Sequence, residues 1–222
     1  MKLSRLLRDV NGGDLCGKPE REITGICSDS RRVGQGSLFV AIPGFQSDGH
    51  QFIRQAMEQG ACVVVAQHAP DCPVPEGVTL ILVDDARRAL AQLAAEWYDH
   101  PERQLRLVGV TGTNGKTTTT WLIRHILEQR GHKCGLIGTN GSIVDGPLRS
   151  AERTTPEAPE LYGLLREMAD AGCEYAAMEV SSHSLVLERV HGLHFAAAAF
   201  TNLTQDHLDF HKTMESYCDA KA

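Results

Sequence analysis

The segment at residues 107–120, LVGVTGTNGKTTTT, restricts the possible folds of this chain more than any other part of it. Its apolar start predicts a β-strand, its glycines predict a tight turn, and Lys116 opens an amphipathic helix. Glycines let backbone N–H groups approach phosphate oxygens, and a helix N-terminus adds aligned N–H groups with a partial positive charge. The segment therefore predicts a phosphate-binding loop of the P-loop type.

The glycines of this loop depart from the common pattern G-x-x-x-x-G-K-[ST]. Val110 occupies the position of the first glycine, and the nearest glycines are Gly109 and Gly112. In the common pattern the lysine, here Lys116, reaches the β- and γ-phosphates, and the hydroxyl of Thr117 binds Mg²⁺. A glycine turn that joins any strand to any helix shares part of this pattern, and the loop alone does not identify a reaction.

Short apolar runs alternate with longer helical segments, which predicts an α/β fold with mainly parallel sheets. In the first half we expect strands at residues 38–42, 62–66 and 79–83 and helices at 50–59 and 85–98. In the second half we expect strands at 105–110, 134–138, 175–180 and 195–200 and helices at 116–129 and 156–171. The last two strands are so apolar that we expect both to be buried.

The alternation is interrupted once, which predicts two domains. We expect a small N-terminal α/β domain at residues 1–86, followed by a P-loop NTPase-like domain with a mainly parallel sheet at residues 87–222. Residues 214–222 start a helix and end within it, so we expect the second domain to be truncated.

Charge and cysteine content exclude several classes of protein. A net charge of −6 over 222 residues argues against a nucleic-acid partner, because phosphate backbones are bound by clustered Lys and Arg. No apolar run is long enough to predict a membrane span. The seven cysteines are scattered and include no Cys-x-x-Cys, which predicts reduced thiols and a cytoplasmic protein.

Glu179 is the strongest candidate for a functional carboxylate. It lies near the carboxyl end of the predicted strand at residues 175–180, and ligands of open parallel sheets bind at the carboxyl ends of strands. By contrast, the spacings His191-x-x-His194 and His207-x-x-x-His211 do not predict a zinc site, because no cysteine pair accompanies them.

Several segments together resemble the Mur ligase family, which builds the peptide stem of bacterial peptidoglycan. The loop GTNGKTT at residues 112–118 resembles the ATP loop of that family. The further segments that carry the resemblance are SDSR at 28–31, GSLF at 36–39, G-x-x-x-DG at 44–49, MEVSSH at 178–183 and NLTQDHLD at 202–209.

The resemblance implies an ATP-dependent ligase with an N-terminal UDP-binding domain and a partial central domain. It is closest to the members that add the third amino acid, meso-diaminopimelate or L-lysine, to UDP-N-acetylmuramoyl-L-alanyl-D-glutamate. In that reaction ATP phosphorylates the substrate carboxylate, and the incoming amine displaces phosphate from the acyl phosphate. We expect the amino-acid site to lie in a further domain, so that this chain binds ligands without completing ligation.

The resemblance also implies roles for individual residues. The ATP loop would comprise Gly112, Thr113, Asn114, Gly115, Lys116, Thr117 and Thr118. Mg²⁺ would be bound by Thr117, Glu179 and His207, and the catalytic residues would be Lys116, Glu179, His207 and Lys221. The UDP-linked substrate would be contacted by Ser28, Ser30, Phe45, Gln46, Ser47, Thr154, Thr155, Ser181 and Arg189.

Lys221 matches a family lysine that reacts with CO₂ and then helps to bind a second Mg²⁺. Because Lys221 stands one residue from the end of this chain, we expect it to be frayed, solvated and unmodified. Two alternatives to a ligase stay open: a module that binds UDP-sugar or ATP without catalysis, and an unrelated P-loop NTPase.

Overall fold

The structure, a computed structural model, describes residues 1–10, 13–44 and 47–222. It divides into two compact units, Met1–Trp97 and Tyr98–Ala222. The boundary expected after residue 86 lies at the start of a helix that the structure groups with the first unit. That helix buries an alanine- and leucine-rich face, and its Glu96 accepts a 2.9 Å hydrogen bond from Arg5.

The first unit is a five-stranded sheet with helices. Its elements are α1 (Leu3–Leu6), β1 (Gly13–Cys16), β2 (Ile26–Cys27), β3 (Leu38–Val40), α2 (Ile53–Glu58), β4 (Val63–Ala66), β5 (Thr79–Val83) and α3 (Ala86–Trp97). The strand order is β1-β5-β4-β3-β2, with β1 antiparallel to β5 and the other pairs parallel. Short 3-10 helices at Ser30–Arg32 and Gly49–Phe52 precede the β3 and α2 segments.

The second unit is a mainly parallel five-stranded sheet. Its elements are β6 (Arg106–Thr111), α4 (Lys116–Gln129), β7 (Cys134–Gly138), β8 (Gly141–Ile143), α5 (Ala158–Asp170), β9 (Tyr175–Glu179), α6 (Ser182–Val186), β10 (Phe195–Phe200), α7 (Leu208–His211) and α8 (Met214–Asp219). The strand order is β10-β6-β9-β7-β8, and the β7–β8 hairpin is the antiparallel pair. An α/β fold with mainly parallel sheets is thus confirmed.

The helix after the glycine-rich turn has the predicted bounds. Gly115 precedes α4 with φ +87°, and Gly131 follows it with φ +84°, so a glycine in the left-handed region stands just outside each end. The sequence predicted a helix that runs from residue 214 to the last residue, 222. Helix α8 begins at Met214 as predicted but ends at Asp219.

The prediction that strand β10 is buried is wrong. Its residues are exposed or half-buried, whereas β9 is buried at four of its five positions. Strand β10 lies at the edge of the sheet and pairs with β6, while β9 lies between β6 and β7. An apolar run predicts a strand, but it does not determine whether other elements cover that strand.

The carboxyl ends of β6, β9 and β10 lie side by side in the second unit. Val110 pairs with Glu179, and Thr111 pairs with Phe200. Three loops therefore start next to one another: the phosphate loop, the loop after Glu179 and the loop after β10.

All seven cysteines are free thiols. Among the helices in the described part of the chain, none is long and apolar enough to cross a membrane.

Candidate active site

Two glycines of the phosphate loop have backbone conformations that a side chain would disturb. Gly112 has φ +133°, and a Cβ there would overlap the hydroxyl of Thr201. Gly115 has φ +87° and lies directly before α4. The turn therefore depends on glycine at both positions, and it leads into the N-terminus of a fourteen-residue helix.

The loop after β10 is hydrogen-bonded to the phosphate loop. The N–H of Thr113 donates to the carbonyl of Asn202 at 2.9 Å, and the N–H of Asn114 donates to the Asn202 side chain at 3.1 Å. Thr201 Oγ1 donates to the Asn114 carbonyl at 2.6 Å. Because two of its amides are engaged in this way, the loop presents phosphate-binding amides mainly at the helix N-terminus, from Lys116 onward.

Two lysines meet at the phosphate loop. Lys116 Nζ donates to the carbonyls of Gly112 and Thr113, each at 2.9 Å. Lys221 Nζ donates to the same Gly112 carbonyl at 3.1 Å and to Thr111 Oγ1 at 3.3 Å. Two ammonium groups beside a helix N-terminus form a cationic site suited to a polyphosphate.

The expectation that Lys221 is frayed and solvated is wrong. Lys221 is 9% exposed, and its ammonium lies 4.9 Å from the centre of the Tyr217 ring. Burial lowers its pKa to about 8, and the nearby charge of Lys116 contributes in the same direction. The sequence suggested fraying because it gave no sign that α8 packs on the phosphate loop.

Glu179, at the end of β9, is held by a threonine in the turn between β7 and β8. It is 1% exposed, and its two carboxylate oxygens accept hydrogen bonds from the N–H (2.9 Å) and the hydroxyl (3.1 Å) of Thr139. A Cβ on Gly138 would overlap this carboxylate, so glycine makes room for it. Each oxygen keeps a lone pair for a further donor or a cation.

Four residues predicted to contact the substrate lie around Glu179. Thr155 is buried, and its hydroxyl donates to the Glu179 carbonyl at 2.8 Å. Ser181 N donates to Thr155 Oγ1 at 3.2 Å, and Arg189 donates to the Thr155 carbonyl at 3.2 Å. Thr154 Oγ1 lies 3.0 Å from the Thr139 hydroxyl. The structure thus joins these residues and Glu179 into one hydrogen-bonded group.

His207 lies on a different loop, just before α7. It has φ +52°, and its Nε2 is 3.5 Å from Asp206 Oδ2. Its ring is 4.8 Å from that of His183, which is in turn 5.8 Å from that of His211. Burial lowers the pKa of both His183 and His211, and neighbouring histidine and cationic charges lower both further.

The donor atoms that follow the carboxyl ends of these strands fit a Mg²⁺ ion. Glu179 supplies a carboxylate and Thr117 a hydroxyl, and Mg²⁺ prefers such oxygen ligands together with phosphate oxygens and water. In the described residues, the Thr117 hydroxyl has no protein hydrogen-bond partner, so it is available. His207 would add an imidazole from the loop after β10.

The predicted uridine contacts lie in the first unit. Ser28 is half-buried at the end of β2. Ser30 is 7% exposed, and its hydroxyl donates to Gln55 Oε1 at 3.1 Å, so it also ties the 3-10 helix to α2. Ser47 is exposed, and Phe45 and Gln46 lie outside the described residues.

Four residues that shape the site were not among the predicted site residues: Thr139, Asn202, Thr204 and Tyr217. Each contacts a predicted site residue through a hydrogen bond across 40 to 104 positions of sequence. The available signals were the position of Asn202 and Thr204 in the segment NLTQDHLD and that of Tyr217 four residues before Lys221. Nothing in the sequence near Thr139 indicated such a contact.

Comparison with protein families gives two matches. The Mur ligase middle domain matches residues 110–222, and the domain described as "Mur ligase family, catalytic domain" matches residues 22–98. The first match spans about half of the chain and contains the phosphate loop, Glu179 and His207.

Two curated relatives are both UDP-N-acetylmuramoyl-L-alanyl-D-glutamate–2,6-diaminopimelate ligases. The protein of Chlorobaculum tepidum is 52% identical over 97% of this chain, which covers 42% of that protein. The protein of Clostridium perfringens is 46% identical over 100% of this chain, which covers 45% of that protein. The chain therefore spans less than half the length of the curated relatives it matches.

Two solved ligase structures have the same fold as this chain. A UDP-N-acetylmuramoyl-L-alanyl-D-glutamate–2,6-diaminopimelate ligase superimposes with a TM-score of 0.80 at 27% identity, with 100% of this chain and 44% of that chain covered. A MurF ligase of Thermotoga maritima, solved in complex with ADP, has the same fold, with a TM-score of 0.54 at 24% identity over 88% of this chain and 41% of that chain.

Proposed function

The chain belongs to the Mur ligase family, and from that premise we propose that it forms the ATP- and UDP-substrate-binding part of a ligase. The proposed reaction adds 2,6-diaminopimelate, in its meso form, to UDP-N-acetylmuramoyl-L-alanyl-D-glutamate. The relatives that carry this name are 46% and 52% identical to the chain. Amino-acid selection is assigned to the part of those relatives that the chain does not match.

One observation carries the proposal: the phosphate loop and Glu179 emerge from paired positions of adjacent strands. Val110 and Glu179 are register partners in β6 and β9, and the loop with Lys116 follows β6 directly. A γ-phosphate bound at the helix N-terminus would therefore lie beside a buried carboxylate. This arrangement suits phosphoryl transfer, which depends on positioning and on neutralising charge.

In the proposed reaction, different residues of the chain would bind the phosphates and the Mg²⁺ ion. Gly112 and Gly115 shape the turn, the first amides of α4 bind the phosphates, and Lys116 neutralises the β- and γ-phosphates. Thr117, Glu179 and His207 would hold Mg²⁺, which when bound lowers the charge repulsion between ATP and the attacking carboxylate.

Four residues near Glu179 would orient the substrate. Thr154, Thr155, Ser181 and Arg189 surround the end of β9. The guanidinium and the hydroxyls of Thr154 and Ser181 can bind carboxylate and amide oxygens, while the buried Thr155 hydroxyl, which donates to the Glu179 carbonyl, fixes their position. Attack of the substrate carboxylate on the γ-phosphate gives an acyl phosphate and ADP. The amine of the amino acid then forms the amide, and phosphate leaves.

On the uridine side, we propose that Ser28, Ser30 and Ser47 contact the nucleotide of the UDP-linked substrate. These residues belong to the first unit, whose family match begins at residue 22. Substituting Ser28 by alanine should weaken binding of the UDP-linked substrate and leave ATP binding unchanged.

The experiment is a calorimetric titration of residues 1–222 with ATP in the presence of Mg²⁺ and, separately, with UDP-N-acetylmuramoyl-L-alanyl-D-glutamate. We expect both to bind and no tripeptide to form when diaminopimelate is added. An unrelated P-loop NTPase would bind ATP and fail to bind the UDP-linked dipeptide. A chain that bound neither ligand would contradict the proposal.

Glu179→Gln tests the carboxylate itself. We expect ATP affinity in the presence of Mg²⁺ to fall about 10-fold, as expected for the loss of one charged ligand. Without Mg²⁺ the variant and the parent should bind ATP alike. Glu174→Gln removes an exposed carboxylate that lies 3.1 Å from His132 and serves as the matched control. An equal loss in both variants would contradict the assignment of Glu179.

A further inference from the structure

Tyr217 connects helix α8 to the phosphate loop. It is 1% exposed, and its hydroxyl lies 3.2 Å from Thr113 Oγ1, a residue 104 positions earlier in the chain. A buried phenol is costly to desolvate unless its hydroxyl is hydrogen-bonded. The hydrogen bond to Thr113 therefore satisfies the buried Tyr217 hydroxyl and also fixes the Thr113 side chain in the loop.

The direction of this hydrogen bond follows from the other partners of Thr113. Thr113 Oγ1 donates to the Thr204 carbonyl at 3.1 Å and accepts from Thr204 N at 3.0 Å. A threonine hydroxyl has one proton and two lone pairs, so one lone pair remains. The Tyr217 hydroxyl fills it as a donor, and every hydrogen-bonding position of the Thr113 hydroxyl is then occupied.

The ring of Tyr217 makes a second contact. The Lys221 ammonium lies 4.9 Å from the ring centre, a distance at which a cation is attracted to the face of an aromatic ring. The same ammonium donates to the Gly112 carbonyl at 3.1 Å. One side chain thus contacts both a hydroxyl of the phosphate loop and a lysine that is bonded to that loop.

We infer that Tyr217 is a positioning residue for the phosphate loop. Its hydroxyl locks Thr113 in place, and its ring holds the Lys221 ammonium over the loop. The inference rests on the proposed function in one respect: the loop that Tyr217 positions is the one that binds ATP.

A positioning role and a purely structural role of Tyr217 predict different effects on ATP affinity when the residue is mutated. Thr113 also anchors Lys116, whose Nζ donates to the Thr113 carbonyl at 2.9 Å. Displacement of Thr113 should therefore reach the group proposed to bind the phosphates. A tyrosine that only filled space would affect the melting temperature without affecting ATP affinity.

The test uses four single variants of residues 1–222 and one double variant, Tyr217→Phe with Thr113→Val. Tyr217→Phe removes the hydroxyl and keeps the ring. Thr113→Val removes the acceptor, and Thr113→Ser keeps it. Tyr162→Phe is the control, because Tyr162 is an equally buried tyrosine of the same unit whose hydroxyl donates to the His191 carbonyl at 3.0 Å.

Two readouts are measured: ATP affinity by calorimetry, and hydrogen–deuterium exchange of residues 111–117 without nucleotide. We expect Tyr217→Phe to weaken ATP binding about 3- to 10-fold and to speed exchange in the loop by a similar factor. Adding Tyr217→Phe to Thr113→Val should cause no further loss, since the acceptor is already absent. Thr113→Ser, which keeps the hydroxyl, should retain more ATP affinity and slower loop exchange than Thr113→Val, and Tyr162→Phe should change neither readout.

Unchanged loop exchange in Tyr217→Phe would overturn the inference, and so would full additivity with Thr113→Val. If the parent itself bound no ATP, the proposed function would fail, and the exchange measurement alone would still decide whether Tyr217 positions the loop.

Discussion

The phosphate loop and the C-terminal segment each bring a lysine to the carbonyl of Gly112. Lys116 lies four residues after that glycine and Lys221 lies 109 residues after it, at Nζ–O distances of 2.9 and 3.1 Å. Lys116 is placed by the sequence of the loop, whereas Lys221 is placed by the packing of α8. The loop motif therefore specifies only one of the two lysines at this carbonyl.

Gly112→Ala should have the largest effect, because it disturbs the point at which both lysines converge. The residue has φ +133°, and an added Cβ would overlap the Thr201 hydroxyl. Backbone strain and overpacking together should lower the free energy of unfolding by about 2 to 4 kcal/mol. Urea denaturation measures this loss, and ATP titration should detect no binding.

Gly131→Ala separates the two causes of that loss. Gly131 also lies in the left-handed region, at φ +84°, but a Cβ there would meet no atom within 4 Å. It should cost about 1 kcal/mol and leave ATP affinity unchanged. If the two alanine variants were equally destabilised, the overlap with Thr201 would be irrelevant.

Lys116→Ala tests the lysine that the loop motif specifies. Loss of its charged hydrogen bonds to phosphate should weaken ATP binding about 10- to 100-fold. Lys116→Arg should not restore affinity, because a guanidinium is larger and planar, and the lysine lies among loop carbonyls. Both variants are measured by calorimetric titration with ATP and Mg²⁺.

Lys133→Ala is the matched control for Lys116. Lys133 is in the same unit, and its side chain is 39% exposed and forms an ion pair with Asp145 at 2.6 Å. Its removal should leave ATP affinity at the parent value. An equal loss in both variants would mean that ATP responds to the overall charge of the unit and not to Lys116.

The local part of this site could be predicted from the sequence. Helix Lys116–Gln129 and strand Cys134–Gly138 have the predicted bounds, because glycines flank the helix and a compact apolar run forms the strand. Glu179 also lies at the carboxyl end of a buried strand, as predicted, although that strand ends one residue earlier than expected. In each case the deciding signal lies within a few residues of the feature.

The remaining parts depend on contacts between distant segments. Strand Phe195–Phe200 is as apolar as a core strand, yet it lies exposed at the sheet edge, which only the strand order determines. The hairpin strand Gly141–Ile143 was not predicted, because three residues carry too little periodic signal. Lys221 was predicted to be solvated, and its burial comes from the docking of α8.

The buried state of Lys221 should make stability depend on pH in a specific direction. Its pKa is about 8 in the folded chain and near 10.5 when solvated. As pH falls through 10.5, the unfolded chain takes up a proton that the folded chain does not yet bind. Folding stability therefore decreases with falling pH until about pH 8, below which both states are protonated and the cost is constant.

Lys221→Met, which keeps the length of the side chain without its charge, should lack this dependence. Between pH 9.5 and pH 8, the stability of the variant relative to the parent should increase by about 1.5 kcal/mol. The lost hydrogen bonds to Thr111 and Gly112 add only an offset that does not change with pH. Urea denaturation over this range measures the trend, with Lys133→Met as the background. Parallel curves for the parent and Lys221→Met would mean that the ammonium is solvated, and the contrast between the two lysines would then reduce to their positions in the sequence.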